Sequence, residues 1–308
     1  MSEIMADCTD PAAVCLFAFN RPDHTRRTLA ALAASPLAEA TDLIAYLDGP
    51  RDDEDVDLVN QVADVITAQT GFASIDLRHR EENAGLAVSI QDGVTETMQA
   101  RGRAIVLEDD IVTSPAFLSY MNLALQRYRQ ENRVWHISGY SEAIAANHDR
   151  PGAHLWRFMS CWGWASWADR WQHFERDPLG LMDSFTAQDI HRFNLNGAEN
   201  FWAQVEGNAR GDMKTWAVFW YATIFRHQGL CLAPYHSYAE NIGFDGSGTH
   251  ASPWNARRQG GLNQDFAPLL PTVIEEDTEA LEQLRTHYMY RPSKLTKLKR
   301  KLGRFLKR

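Results

Sequence analysis

Five short apolar runs in the first 140 residues, each closed by a polar turn, limit the folds open to this chain. Residues 13–19 end in Asn20-Arg21-Pro22, and a helical pattern follows over 24–34. Residues 43–47 stop at Asp48-Gly49-Pro50. Residues 52–69 then read as a helix with Val56, Val59, Val62, Val65 and Ile66 on one face. Residues 73–77 form the third run, followed past Asn83-Ala84-Gly85 by a helix over 86–100. Residues 104–107 run into Glu108-Asp109-Asp110, and Ser114-Pro115 is expected to cap and start a helix to about Arg129. Residues 134–138 are the fifth run. Strands alternating with helices imply an α/β fold class, a mainly parallel sheet covered by helices on both faces. Ligands of such sheets sit at the carboxyl ends of the strands.

The second half changes character. All ten tryptophans lie between Trp135 and Trp254, and five of them fall within the sixteen residues 156–171. Helices are expected over 165–175, 198–208 and 213–228, and a long loop over the Gly-, Ser-, Asn- and His-rich stretch 234–261. Trp164, Trp167 and Trp171 are spaced i, i+3, i+7, one face of a helix, which favours a core role. Trp162 stands just outside that helix and is the better candidate for stacking on the apolar face of a sugar ring.

Charge excludes further classes. The chain carries 31 Lys and Arg against 40 Asp and Glu, a net charge of -9. Residues 291–308 hold nine of the basic side chains and no acidic one, which leaves 22 basic against 40 acidic elsewhere, a net of -18. An acidic body argues against nucleic-acid binding. In the tail, Leu295, Leu298, Leu302, Phe305 and Leu306 form one helical stripe among Lys and Arg. That reads as a helix on an anionic membrane surface, or as a disordered soluble tail. No apolar run approaches the roughly 20 residues that cross a bilayer. The first ten residues are polar and acidic, unlike a secretory signal, and Cys8, Cys15, Cys161 and Cys231 show no paired spacing. The expected location is the cytoplasm, peripheral on the inner face of the cytoplasmic membrane.

The chemistry-bearing residues cluster at strand ends. Neither a G-x-G-x-x-G after the first strand nor a phosphate-binding P-loop motif is present. Three carboxylates in Glu108-Asp109-Asp110 repel one another at the end of a buried strand, a cost that bound Mn²⁺ or Mg²⁺ offsets. A solvated turn is the alternative. Asp48 reads as an acceptor for a base or ribose, or as a plain turn residue. Asn83 opens a helix, where it faces an anion or serves as a cap. Arg21 is a surface cation or a diphosphate contact. Asp212 is an N-cap or a general base. His250 is a metal ligand, a diphosphate donor or a surface histidine.

Taken together, Asn20-Arg21-Pro22, Asp48-Gly49, Asn83-Ala84-Gly85-Leu86 and Ile105-Val106-Leu107-Glu108-Asp109-Asp110 resemble a GT-A glycosyltransferase. The resemblance is to the N-acetylglucosaminyltransferase I-like and family-2-like group. Further matching segments are Ile111 to Tyr120, His136-Ile137-Ser138-Gly139-Tyr140 and Trp162-Gly163-Trp164. The resemblance implies a nucleotide-sugar-binding half over 11–140 and an acceptor-binding and catalytic half over 141–260. A helical segment (261–290) and the basic tail (291–308) follow. It implies that Asp110, with His250 as a second candidate, ligates Mn²⁺ or Mg²⁺ on the donor diphosphate. Glu108 and Asp109 would meet the ribose and base side. Asp48 would read the nucleobase, and Arg21 and Asn83 would line the donor pocket. Trp162 and Trp164 would bind the acceptor. Asp212 would be the base, with Asp169, Glu206 and Asp245 as further acids, and 237–250 would fold over the nucleotide. The family often carries paired acids beside a tryptophan, whereas Met213-Lys214-Thr215 precede Trp216 here.

The implied activity moves a hexosyl or N-acetylhexosaminyl group from a nucleotide-sugar donor, a UDP-sugar, to a glycan or lipid-linked glycan, with inversion. Two other classes compete. One is a catalytically silent nucleotide-sugar or carbohydrate-binding module on the same fold. The other is an α/β phosphatase, which would need a nucleophile where the chain has Asn20-Arg21-Pro22.

Overall fold

The computed structural model describes residues 10–142, 149–243 and 261–289. His250, Asp245 and the tail 291–308 lie outside the described residues, as does the segment expected to fold over the nucleotide beyond Gly243.

The first half follows the alternation. Strands β1 (Val14–Ala18), β2 (Asp42–Leu47), β3 (Ser74–His79) and β4 (Arg103–Glu108) pair in parallel. Helices α1 (Pro22–Ala33), α2 (Asp53–Thr67) and α3 (Leu86–Arg101) connect them. Because successive strand side chains point to opposite faces, Cys15 and Phe17 pack on the α3 side and Val14, Leu16 and Ala18 on the α1 and α2 side. Both faces are therefore buried, as the unbroken apolar runs required.

The helix expected to start at Ser114-Pro115 begins later. Residues Ile111–Thr113 form β5, and α4 (Phe117–Arg127) has no side-chain cap. Beyond it lie β6 (Val134–Ser138), β7 (Ala153–Trp156) and β8 (Trp164–Trp167). The expected helix over 165–175 is thus a strand followed by the single turn α5 (Ala168–Trp171). In β8, Trp164 faces one core and Ala165 and Trp167 the other, so the period is two, and both faces are covered. The remaining elements are α6 (Pro178–Ser184), α7 (Ala187–Phe193), α8 (Trp202–Ala209), α9 (Ala217–Arg226), β9 (Leu230–Pro234), β10 (Ala239–Asn241) and α10 (Thr278–Met289).

One eight-stranded sheet, ordered β3-β2-β1-β4-β8-β6-β9-β7, takes strands from both halves of the chain. β8 runs antiparallel to β4 and β6, and β7 antiparallel to β9. A tryptophan-rich core fills the α3 side, with Trp135, Trp156, Trp164, Trp171, Trp202, Trp216 and Trp220 all buried. Among the described residues, no helix is long and apolar enough to cross a membrane.

Candidate functional site

The strand order creates the site. From β1 the chain moves outward to β2 and β3, then returns to place β4 on the other side of β1. Neighbouring connections diverge there, and a crevice opens at the carboxyl ends of β1 and β4. Phe17 pairs with Glu108 in register, so the residues just past each strand emerge side by side. Arg21, at the entrance to α1, consequently meets the acidic triplet. Its guanidinium bridges two carboxylates: Nη2 donates to Asp109 Oδ1 and Nη1 donates to Asp110 Oδ2 at 3.1 Å. Asp109 is further held by the Phe19 amide, and its carbonyl accepts from Thr28 Oγ1 at 2.8 Å.

A second layer closes on Asp110. β10 pairs antiparallel with β5, Asn241 opposite Ile111. The Ile242 amide donates to the Asp110 carbonyl at 2.9 Å, and Asn241 Nδ2 reaches Asp110 Oδ1 at 3.3 Å. A Cβ at Gly243 would collide with Asp110 Oδ2, so only glycine permits this approach. Glu108 lies beside Trp216, and both line the cleft.

Glu108, Asp110 and Arg21 open into a cleft of about 610 Å³, within the usual size of ligand pockets. Its far wall is aromatic, with Phe158, Trp162, Phe201, Trp216, Tyr221 and Tyr288 among the lining residues. Polar groups converge from Tyr140, Glu142, Gln204, Lys214 and Asn241. His136 braces this wall from beneath. Its Nδ1 accepts from the Trp220 indole at 3.1 Å, and its Nε2 lies 2.9 Å from the Ser160 carbonyl. Burial pushes its pKa down to about 3, so the ring stays neutral and Nε2 carries the proton.

The donor chemistry fits a hard divalent cation that arrives with a phosphate ligand. Mg²⁺ and Mn²⁺ favour oxygen donors, and Mg²⁺ typically keeps one or two carboxylates plus waters and substrate phosphates. Two of the carboxylates that line the cleft, Glu108 and Asp110, stand together at the end of β4. Among the described residues, no group of three or more His, Cys, Asp or Glu is arranged to hold a metal alone.

Burial, then the charges of Asp110 and Asp109, pushes Glu108 up to about 8, and burial pushes Asp109 up to about 6 against the pull of Arg21. Without a bound cation Glu108 thus keeps its proton at neutral pH, and binding a cation would release it. A carboxyl raised on folding contributes its stability fully below its unfolded value and loses it as pH rises through the folded one. Wild-type Tm should therefore fall between about pH 4.5 and 8 relative to Glu108→Gln. Thermal melts from pH 5 to 9 should show the gap widen by several degrees, a few kcal/mol.

The other sequence candidates fall elsewhere. Asp48 is buried and caps a turn: Oδ1 accepts from the Ala84 amide at 2.9 Å and Oδ2 from the Gly85 amide at 2.8 Å. Asn83 Nδ2 donates back to the Gly49 carbonyl at 2.8 Å. The two residues clasp their loops together ahead of Leu86, which does line the cleft. Trp164 is 1% exposed and belongs to the core, stacked on Trp216 and His136. Asp212 is 63% exposed on the turn before α9, pairs with Arg210 at 2.8 Å, and is not among the lining residues. Asp169 pairs with Arg170, and neither Asp169 nor Glu206 lines the cleft. Glu142 went unnoticed in the sequence. Its only signal is its place four residues past the fifth strand, where strand-end logic applies as well.

No protein-family model matches the sequence, and no curated protein matches it. Among solved structures, similarity extends to the mannosyltransferase PcManGT from Pyrobaculum calidifontis in complex with GDP-Man and Mn2+. The identity is 11%, with 71% of this chain and 69% of that chain covered, at a TM-score of 0.40. A second is S. aureus TarS, at 7% identity and a TM-score of 0.41, covering 74% of this chain and 36% of that one. The chain therefore spans about a third of TarS.

Proposed function

We propose that the chain is a GT-A-type glycosyltransferase that takes a nucleotide diphosphate sugar, a UDP-sugar, as donor. The observation that carries this reading is the β1/β4 crevice, where Arg21, Glu108 and Asp110 meet a cleft with an aromatic wall. Diphosphate needs cationic and cation-bearing partners, and sugar rings need flat apolar surfaces.

Each residue then has a task. Arg21 presents a guanidinium to the diphosphate while its ion pairs keep Asp109 and Asp110 in place. Asp110 and Glu108 would hold Mn²⁺ or Mg²⁺, which when bound neutralises charge on the leaving diphosphate. Asp48 and Asn83 shape the loop under the donor through their backbone contacts. Trp162 offers a ring face to the acceptor sugar. Holding donor and acceptor in line lowers the barrier by removing orientational freedom beforehand. A single displacement would invert the anomeric centre. The basic, amphipathic stretch 291–308 favours a lipid-linked glycan as acceptor, held at an anionic membrane surface.

A thermal-shift panel of nucleotide sugars, with and without Mn²⁺, tests the reading. One nucleotide sugar at about 100 times its Kd should stabilise the protein by about 2.7 kcal/mol, and only with the cation. Product analysis with the same donor separates an enzyme from a silent binding module, which would bind without turnover. No shift with any donor would count against the proposal.

A further inference from the structure

We propose that Glu142 is the general base that deprotonates the acceptor hydroxyl, a role that rests on the glycosyltransferase reading. Among the described residues, only three carboxylates line the cleft: Glu108, Asp110 and Glu142. The first two stand together at the end of β4, Glu108 beside Trp216 and Asp110 held by Arg21 and Asn241. Glu142 stands apart from them on the loop after β6, beside the aromatic wall. The Tyr140 ring meets Trp162 edge-on at 4.4 Å, and the Tyr140 hydroxyl donates to Glu142 Oε2 at 3.3 Å. The carboxylate thus sits next to the ring that would carry the acceptor sugar.

Its orientation is set from two sides. Tyr288 of α10 donates its hydroxyl to Glu142 Oε1 at 3.2 Å, and His287 Nε2 lies 3.9 Å from Oε2. The side chain is only 12% exposed. A carboxylate oxygen accepts more than one hydrogen bond, so both tyrosines can hold the group while it receives a substrate O–H. Asp212, the base suggested by the family pattern, is paired with Arg210 on an exposed turn.

The step balances. The acceptor O–H proton moves to a Glu142 carboxylate oxygen as the acceptor oxygen bonds to the anomeric carbon. The bond from that carbon to the diphosphate oxygen breaks, and its electron pair leaves with the nucleoside diphosphate. Glu142 then releases the proton to solvent.

Glu142→Gln separates this role from a structural tether, because the amide can still pair with both tyrosine hydroxyls. With a donor and acceptor that wild-type protein turns over, the variant should bind donor within twofold by calorimetry. Its kcat for transfer should fall about 10²–10⁴-fold, the usual contribution of a general base. Glu142→Asp keeps a carboxylate and should exceed the Gln variant by tenfold or more, which preserves the test if one variant folds poorly. Transfer by Glu142→Gln within tenfold of wild type, equal activity of the two variants, or parallel loss of donor binding would overturn the assignment. So would loss of transfer in Asp212→Asn while Glu142→Gln stays active. If wild-type protein binds no nucleotide sugar, the reading of the cleft fails first, and the base fails with it.

Discussion

Trp164→Ala should lower the unfolding free energy by about 3–5 kcal/mol, a large part of the stability of an ordinary domain. The ring is 1% exposed and stands at the centre of the aromatic core. Trp216 stacks on it at 5.5 Å, Trp171 lies at 5.5 Å and Trp220 at 6.3 Å, with His136 stacked at 5.4 Å. Four rigid rings cannot collapse into the space it leaves, so the cavity term adds to the lost burial. Trp162→Ala should behave differently. That ring is half-buried, lines the cleft and meets the Tyr140 ring edge-on. It should cost about 1–2 kcal/mol of stability while raising the acceptor KM about tenfold, the order of an aromatic contact with a ring face. Chemical denaturation and acceptor titrations of the two variants check both halves. A Trp164→Ala protein within about 1 kcal/mol of wild type would show that the ring is not packed as described.

The difference between these neighbours marks where sequence reading stops. Spacings of i, i+3 and i+7 suggested a helix through Trp164, Trp167 and Trp171, but a strand buried on both faces also presents tryptophan on either side. Periodicity alone does not separate a fully buried strand from a buried helix. The parallel half was legible because each strand is a short unbroken apolar run with a polar stop, and β6 falls at 134–138 as expected. Arg21, Glu108 and Asp110 were legible for the same reason, since residues at the carboxyl ends of strands face the crevice, whereas Asp109 is buried beneath Arg21 and does not line it. That they share a contact follows from β1 and β4 being neighbours, which only the strand order reveals. Glu142 has no motif around it, and its tyrosine partner Tyr288 lies 146 residues away. Asp212 sits near an aromatic helix in sequence, yet the turn at Gly211, with a φ of 81°, precedes it and its side chain pairs with Arg210 instead of entering the cleft.

Asp110→Asn should reduce transfer on the order of 10³-fold, about 4 kcal/mol of transition-state stabilisation. The substitution keeps the side-chain shape and an oxygen that still accepts from Arg21 Nη1, gives up the long contact from Asn241 Nδ2, and leaves Arg21 its pair with Asp109. Removing a negative charge from this crowded acidic cluster also relieves repulsion, so Tm should stay level within a few degrees. The loss would therefore lie in the chemistry, through a carboxylate that no longer binds a divalent cation or answers the charge on the diphosphate. Calorimetric titration of the nucleotide sugar selected by the thermal panel, with Mn²⁺ present and absent, into wild-type protein and Asp110→Asn shows whether donor binding runs through a cation at Asp110. Wild type should bind tightly only with the cation, and Asp110→Asn at least 100-fold more weakly, about 2.7 kcal/mol. Equal, cation-independent binding by the two proteins would contradict that role of the cation.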